Sequence, residues 1–152
     1  MYNFEGARII TGDDPRLKQK CKKISNPKAE NIVKLIKEMK KTMKINNGIG
    51  LAAPQIGQPV RLFIVQVNYN QYVIINPIIK KLSQNKTQME EGCLSFPGIF
   101  RTIERSQKIE IKYINQQGQS KKLKASGLLA RAIQHEYDHL EGVIFLDRGK
   151  VN

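Results

Sequence analysis

Apolar residues recur at two different periods along this chain, and the change of period marks out its elements. After Asn26-Pro27 and up to Asn46-Asn47-Gly48, Ile32, Ile36, Met39 and Met43 return every three or four positions, which is one face of an α-helix. Asn26 offers a cap and Pro27 suits the first helical position. Lysines fill the opposite face, and the two methionines read as core filling on the apolar stripe. Further on the period drops to two. Residues 61–67 and 72–75 are β-branched runs around Asn68-Tyr69-Asn70, predicting an antiparallel hairpin. Residues 108–114 alternate strictly, with Ile109, Ile111 and Tyr113 on one face, and 115–118 turn the chain into a partner strand through Leu123. Ser126 then offers a cap for a second helix over 128–140, stopped by Gly142. The order predicts an α+β fold, with antiparallel or mixed β-sheets packed around the second helix and an N-terminal helix added.

Composition narrows the class. At 152 residues, with 40% apolar and 26% charged residues, the chain suits a single globular domain spanning 1–152 that buries a real core. No apolar run approaches the roughly 20 residues that cross a bilayer, and Met1-Tyr2-Asn3-Phe4-Glu5-Gly6 lacks the pattern of a secretory signal. Residence in the cytoplasm is the expectation. Two cysteines, Cys21 and Cys93, make no disulfide framework. Cys21 sits in Lys20-Cys21-Lys22-Lys23 and reads as an exposed thiol. A net charge of +13 favours approach to polyanions such as RNA, although a lysine-rich solvated surface explains it as simply. No aromatic residues interleave with the lysines as in an RNA-stacking motif.

The second helix carries the chemistry. Its stretch Gln134-His135-Glu136-Tyr137-Asp138-His139 holds the only two histidines of the chain, four positions apart. On a helix such residues stack on one face and can reach one cation, while the glutamate beside the first reaches a water on it. Leu128 and Ala132 share that face. A catalytic site of this kind needs three protein ligands and an open position. The position where a third histidine would follow in one protease class is Phe145, and after Glu141 the only acid is Asp147. The third ligand therefore lies upstream. Cys93, in Glu90-Glu91-Gly92-Cys93-Leu94-Ser95-Phe96-Pro97, is the best candidate, with Gly92 leaving room for backbone to approach a metal; taken alone, Cys93 would read as a buried inert cysteine.

The loop from Gly48 to Gly57 contains G-x-G-x-x-A but follows a helix, is broken by Pro54 and has no acid between Val60 and Lys80, so a dinucleotide site is rejected. Small residues ending in Gln55 instead suit close approach of an extended substrate, with the amide as an oxyanion donor.

The glycine loop with Gln55, the Glu-Gly-Cys-Leu-Ser segment and Gln-His-Glu-x-x-His, in this order from Gly48 to His139, together resemble peptide deformylase; Asp13, Pro15, Arg16 and Leu17 resemble the family's N-terminal region. The resemblance implies removal of the formyl group from N-formylmethionyl peptides, releasing formate. It assigns Cys93, His135 and His139 as ligands of one divalent metal, Fe²⁺ in the cell with Zn²⁺, Ni²⁺ or Co²⁺ as substitutes. Glu136 becomes the general acid/base for attack by a metal-activated water, and Gln55 with the Leu94 backbone N–H holds the oxyanion. Substrate would pair beside Ile49 and Gly50, its methionine in a pocket of Ile49, Met89, Leu128 and Ala132. Arg131 falls where relatives are often apolar, and Glu91 with Arg105 resembles a structural ion pair bracing the Cys93 segment, although as surface groups the two could equally do little. The sequence stops soon after the second helix, before a C-terminal helix that docks some relatives on the ribosome, which fits either a compact member of the family or a truncated chain; for the compact form, diffuse charge attraction to ribosomal RNA would take that helix's place. A monomer is the expected state.

Overall fold

The computed structural model of the chain describes residues 6–149; the opening residues 1–5, read above as carrying no signal, lie outside them. Described elements in chain order are α1 (Glu30–Ile45), β1 (Gly50–Ala52), β2 (Leu62–Val67), β3 (Asn70–Leu82), β4 (Lys86–Cys93), β5 (Phe96–Ser106), β6 (Lys108–Ile114), β7 (Ser120–Ser126) and α2 (Gly127–Leu140), with short 3-10 turns between them. Five strands form one sheet in the order β1-β2-β3-β6-β7, and β4 pairs with β5 in a second sheet of two. Every strand pair is antiparallel. Among the described residues no helix is long and apolar enough to cross a membrane.

Alternation along the strands gives the large sheet two apolar faces. Phe63, Val65, Ile74, Ile109, Ile111 and Ala125 pack against Ala130, Ala132, Ile133 and Leu140 of α2. The intervening residues Leu62, Ile64, Val73 and Ile75 meet Ile32, Leu35, Ile36, Met39 and Met43 of α1. Both methionines are core filling as expected, at 0% and 2% exposure. The helix starts three residues later than the Asn-Pro signal indicates. Asn26 spends its side chain on the backbone N–H of Lys28 and its carbonyl on that of Ala29, closing a turn ahead of the first helical residue.

The predicted β2–β3 hairpin forms with Val67 opposite Asn70. Asn68 and Tyr69 are its two central residues, with φ of 52° and 69°, as a tight hairpin turn requires. β3 outruns its predicted end at Ile75 because Asn76, at φ 50°, bulges out of register and exchanges two 2.9 Å hydrogen bonds with the backbone of Ile24. Ser126 does occupy the position before α2, yet its hydroxyl makes no capping bond. Gly142 ends the helix as expected, at φ 74° and so close to the Lys18 backbone that a Cβ would lie 2.7 Å from its carbonyl oxygen.

Cys21 departs from its sequence reading. It is buried, not exposed, because its N–H donates to the Leu140 carbonyl and its side chain joins the cluster under α2. Burial pushes its thiol up to about 11, over the opposing Arg61 charge, so it is an inert core sulfur.

Candidate metal centre

α2 turns one side toward a cleft of about 670 Å³ lined also by the N-terminal segment, the loop from α1 into β1, and the β4–β5 hairpin. His135 and His139 stand on that side one turn apart, with ring centroids 5.2 Å from each other. Cys93 arrives from the end of β4, where Leu94 and Ser95 form the tight turn into β5 and Cys93 pairs with Phe96. Its sulfur lies 3.4 Å from Nε2 of His139. The three ligand atoms of Cys93, His135 and His139 lie within 4.8 Å of one another. A sulfur and two imidazole nitrogens converging this closely from two elements fit one divalent cation, the donor set being suited to iron, zinc, cobalt or nickel alike.

The groups around His135 fix its orientation, whereas the buried Nδ1 of His139 has no hydrogen-bond partner among the described residues. Nδ1 of His135 is 2.9 Å from Oε1 of Glu91, which turns Nε2 toward the cleft and raises its donor strength. Burial works against a charge on His135, but the hydrogen bonds to Cys93 and Glu91 win and raise its pKa. His139, also buried and facing the charges of His135 and Arg105, is held well below the usual histidine value, in the neutral form that ligates. Glu91 also accepts from Nε and a terminal nitrogen of Arg105, at 2.7 and 3.0 Å, and from Arg131 at 2.6 Å. Burial acts to raise the Glu91 pKa, but the hydrogen bonds and charges of His135 and Arg105 outweigh it and keep the carboxyl at about 2. The Glu91–Arg105 pair is thus no surface contact: both residues are buried, at 7% and 4% exposure. Arg105 and Arg148 further converge on Asp138 of α2.

Arg131 lines the cleft without offering it a free charge. Its guanidinium is spent on Glu91, on the Ile103 carbonyl at 3.0 Å and on the Thr87 carbonyl at 2.9 Å, so it clamps both strands of the β4–β5 hairpin to α2. Neither this clamp nor the role of Asp138 was drawn from the sequence, although Arg131, His135 and Asp138 recur at helical spacing on the side of α2 that meets Glu91. Phe145 does face the site, as an apolar wall with its ring centroid 5.9 Å from that of His135.

Gln55 occupies the 3-10 turn after β1 and is 1% exposed. Its carbonyl oxygen accepts from the Ala52 N–H at 2.9 Å, which leaves the NH₂ group to donate to Ser95 Oγ at 3.0 Å and to face the Cys93 sulfur at 3.5 Å. Glu136 points into the cleft from beside His135. Its Oε1 is 4.0 Å from Nε2 of that histidine, and its buried Oε2 has no hydrogen-bond partner among the described residues. Burial pushes this carboxyl up to about 7, over the opposing pull of His135 and Arg105. Gly50 is demanded by the same carboxylate: a Cβ there would lie 2.7 Å from Oε1. Gly92, by contrast, makes room for Phe100 rather than for a metal, since its Cβ would meet that ring at 2.8 Å. Ile49, Met89, Leu94, Leu128 and Ala132 line the same cleft, so the structure brings together every residue singled out for substrate, oxyanion and proton handling; His139 lies just behind, at 1% exposure.

A sulfur ligand beside two helix histidines and an acid of raised pKa define a metal-dependent hydrolase that differs from proteases with an all-histidine or histidine–carboxylate set. Comparisons with known proteins give the family. Residues 7–151 match the pattern of Polypeptide deformylase. The peptide deformylase of Picosynechococcus sp. is 48% identical over 140 residues, covering 89% of this chain and 74% of that protein; that of Dictyoglomus turgidum is 46% identical, covering 89% and 87%. The crystal structure of peptide deformylase from Thermotoga maritima superposes with a TM-score of 0.93 at 41% identity, covering 96% of this chain and 99% of that one. A peptide deformylase from Synechococcus elongatus in complex with actinonin gives 0.93 at 38% identity, covering 97% and 81%. The chain belongs to the polypeptide deformylase family.

Proposed function

We propose that this chain hydrolyses the formyl amide of N-formylmethionyl peptides, with Glu136 moving the proton and Cys93, His135 and His139 holding one divalent metal. The observation that carries the assignment is Glu136: a buried carboxyl raised to about 7, with one oxygen unpartnered, beside three converging ligands. The cation, when bound, supplies Lewis acidity that activates a water and polarises the formyl carbonyl. Glu136 accepts a proton from the attacking water at Oε2 and returns it to the α-amine as the formyl C–N bond breaks, giving formate and a free N-terminal methionine. A pKa near the working pH serves both halves of that exchange. The Gln55 NH₂ and the Leu94 N–H donate to the oxyanion, each such donor being worth about 3–4 kcal/mol.

Substrate enters along β1. That strand is an edge of the large sheet, and an extended peptide can add to it beside Ile49 and Gly50. Met89, Leu128 and Ala132 then wall the methionine side chain. The chain acts as one catalytic domain and a monomer in the cytoplasm, with Fe²⁺ as its native metal and Zn²⁺, Ni²⁺ or Co²⁺ as working substitutes. Newly made chains at the ribosome are its substrates. Glu136→Ala is expected to retain the metal at wild-type stoichiometry and to lose at least about 10²-fold in formate release from a formyl-Met peptide. Near-normal release by a correctly loaded variant would overturn the role given to Glu136.

A further inference from the structure

The face of the large sheet turned away from α2 is covered by α1 through residues of β2 and β3. Beyond that cover the chain changes character. Alternating with the buried Ile109 and Ile111 on β6, and with Leu123 and Ala125 on β7, are Lys108, Glu110, Lys112, Lys122 and Lys124. β3 adds Lys81 opposite Glu110. All five lysines are exposed and Glu110 is half-buried; among the described residues it is the one acid of this face. Lys112 lies directly across the ladder from Lys122, a like-charge pairing that opposes sheet formation. A groove of about 470 Å³ opens at one end, between Lys81, Lys108, Lys124 and the single acid Glu110, with Ser83 and Ser126 at its sides.

Lysines on an edge strand guard against pairing with other sheets, which accounts for β7 but not for Lys81, Lys108 and Lys112 on the interior strands β3 and β6. Plain solvation accounts for lysines mixed with acids, as on α1, where Lys34 pairs with Glu30 at 3.0 Å. A membrane surface needs apolar side chains beside the cations. Here Ile78, across from Lys112, is the one exposed large apolar residue of the face among the described residues.

We propose that this lysine face docks the phosphate backbone of RNA. The lysine stems are rooted about 4.8 Å apart across strands and about 7 Å apart along them, and their mobile ammonium groups form a positive array that meets the repeating charge of a phosphodiester chain. With no arginine fork and no aromatic platform on the face, recognition is of backbone and not of sequence. The face itself is independent of deformylation; only the choice of RNA over DNA rests on the reading that the substrate is a newly made chain.

The test uses metal-loaded protein and a short fluorescent single-stranded RNA, with anisotropy followed across salt concentration. Lys112→Gln/Lys122→Gln/Lys124→Gln is expected to weaken binding at least about tenfold at low salt and to reduce the salt slope by about 2. Lys18→Gln/Lys22→Gln/Lys23→Gln removes the same charge from the segment packed at the far end of α2 and is expected to change the slope little. Equal weakening by both triples, or tighter binding of the same-sequence DNA or of phosphatidylglycerol vesicles than of the RNA, overturns the proposal. In the wild-type protein, RNA is expected to shield Lys112, Lys122 and Lys124 from acetylation while Lys18 and Lys22 stay reactive; uniform protection overturns it without recourse to a variant. Formate release from a short formylated peptide is read separately. RNA binding by a protein without that activity would sink the deformylase reading and leave the docking face supported.

Discussion

Two hairpins of similar length do opposite work in this molecule. β6–β7 belongs to the large sheet and buries Ile109, Ile111 and Ala125 under α2. β4–β5 stands apart as a two-stranded sheet and presents Cys93. Its attachment to α2 runs through buried charge, with Glu91 and Arg105 of the hairpin meeting Arg131, His135 and Asp138 of the helix. Apolar burial is tolerant of direction, whereas hydrogen-bonded charge fixes angle and distance, and a metal ligand needs the latter. The comparison breaks most visibly at Glu91 and Ile111. Glu91→Ala leaves Arg105 and Arg131 buried without their shared partner and is expected to cost about 3–5 kcal/mol, with metal affinity falling about 10–100-fold through His135. Ile111→Ala is expected to cost about 2–5 kcal/mol and leave metal affinity unchanged in the folded protein. Urea unfolding and chelator competition measure the two effects, and equal metal loss in both variants would abolish the distinction.

The same contrast explains what the sequence made legible. β6 and β7 follow the period of two because one face is apolar, and α1 follows the helical period because its stripe meets β2 and β3. β4 has no such rhythm: of its eight residues only Glu91 is fully buried, so no apolar pattern announced it, and β5 went unrecognised with it. Histidine spacing and the absence of downstream ligands pointed to the metal centre, since those are local properties of a short segment. The Glu91–Arg105 pair was legible as a brace for the Cys93 segment and only its burial was not, because whether a carboxylate is solvated depends on Arg105, Arg131 and His135 closing over it in three dimensions. Cys21 erred in the opposite sense: flanking lysines point outward while the thiol between them turns in beneath α2.

Arg131 offers a finer cut. It fastens α2 to both strands of the hairpin, yet Glu91 keeps Arg105 and His135 when it is gone. Arg131→Met preserves most of the stem and removes the fork, and the expected loss is about 2 kcal/mol, less than for Glu91→Ala. Amide exchange at Thr87 to Glu91 is expected to quicken while β6–β7 keeps its protection. A uniform increase over both hairpins would mean that the clamp serves global stability alone.

Burial is what gives the Glu91 cluster its leverage, and a second acid–arginine pair isolates that factor. Arg61 donates to Glu141 at 2.7 Å just past α2, but there the carboxylate side chain is 29% exposed and also meets Lys20 at 3.4 Å. Burial acts to raise the Glu141 pKa, and the hydrogen bond and charge of Arg61 overcome it, so the folded value lies below that of an ordinary glutamate. A carboxyl whose pKa is depressed on folding stabilises the protein above its unfolded pKa, and that contribution fades as pH falls through the folded value. Glu141→Gln is therefore expected to cost about 1 kcal/mol at neutral pH, the gap to the wild type narrowing below about pH 4.5 as Glu141 takes up its proton. Unfolding by urea across that range measures it. A gap that stayed constant into acid would show that Glu141 acts through shape and not charge, and a neutral-pH cost matching that of Glu91→Ala would remove burial as the difference between the two pairs.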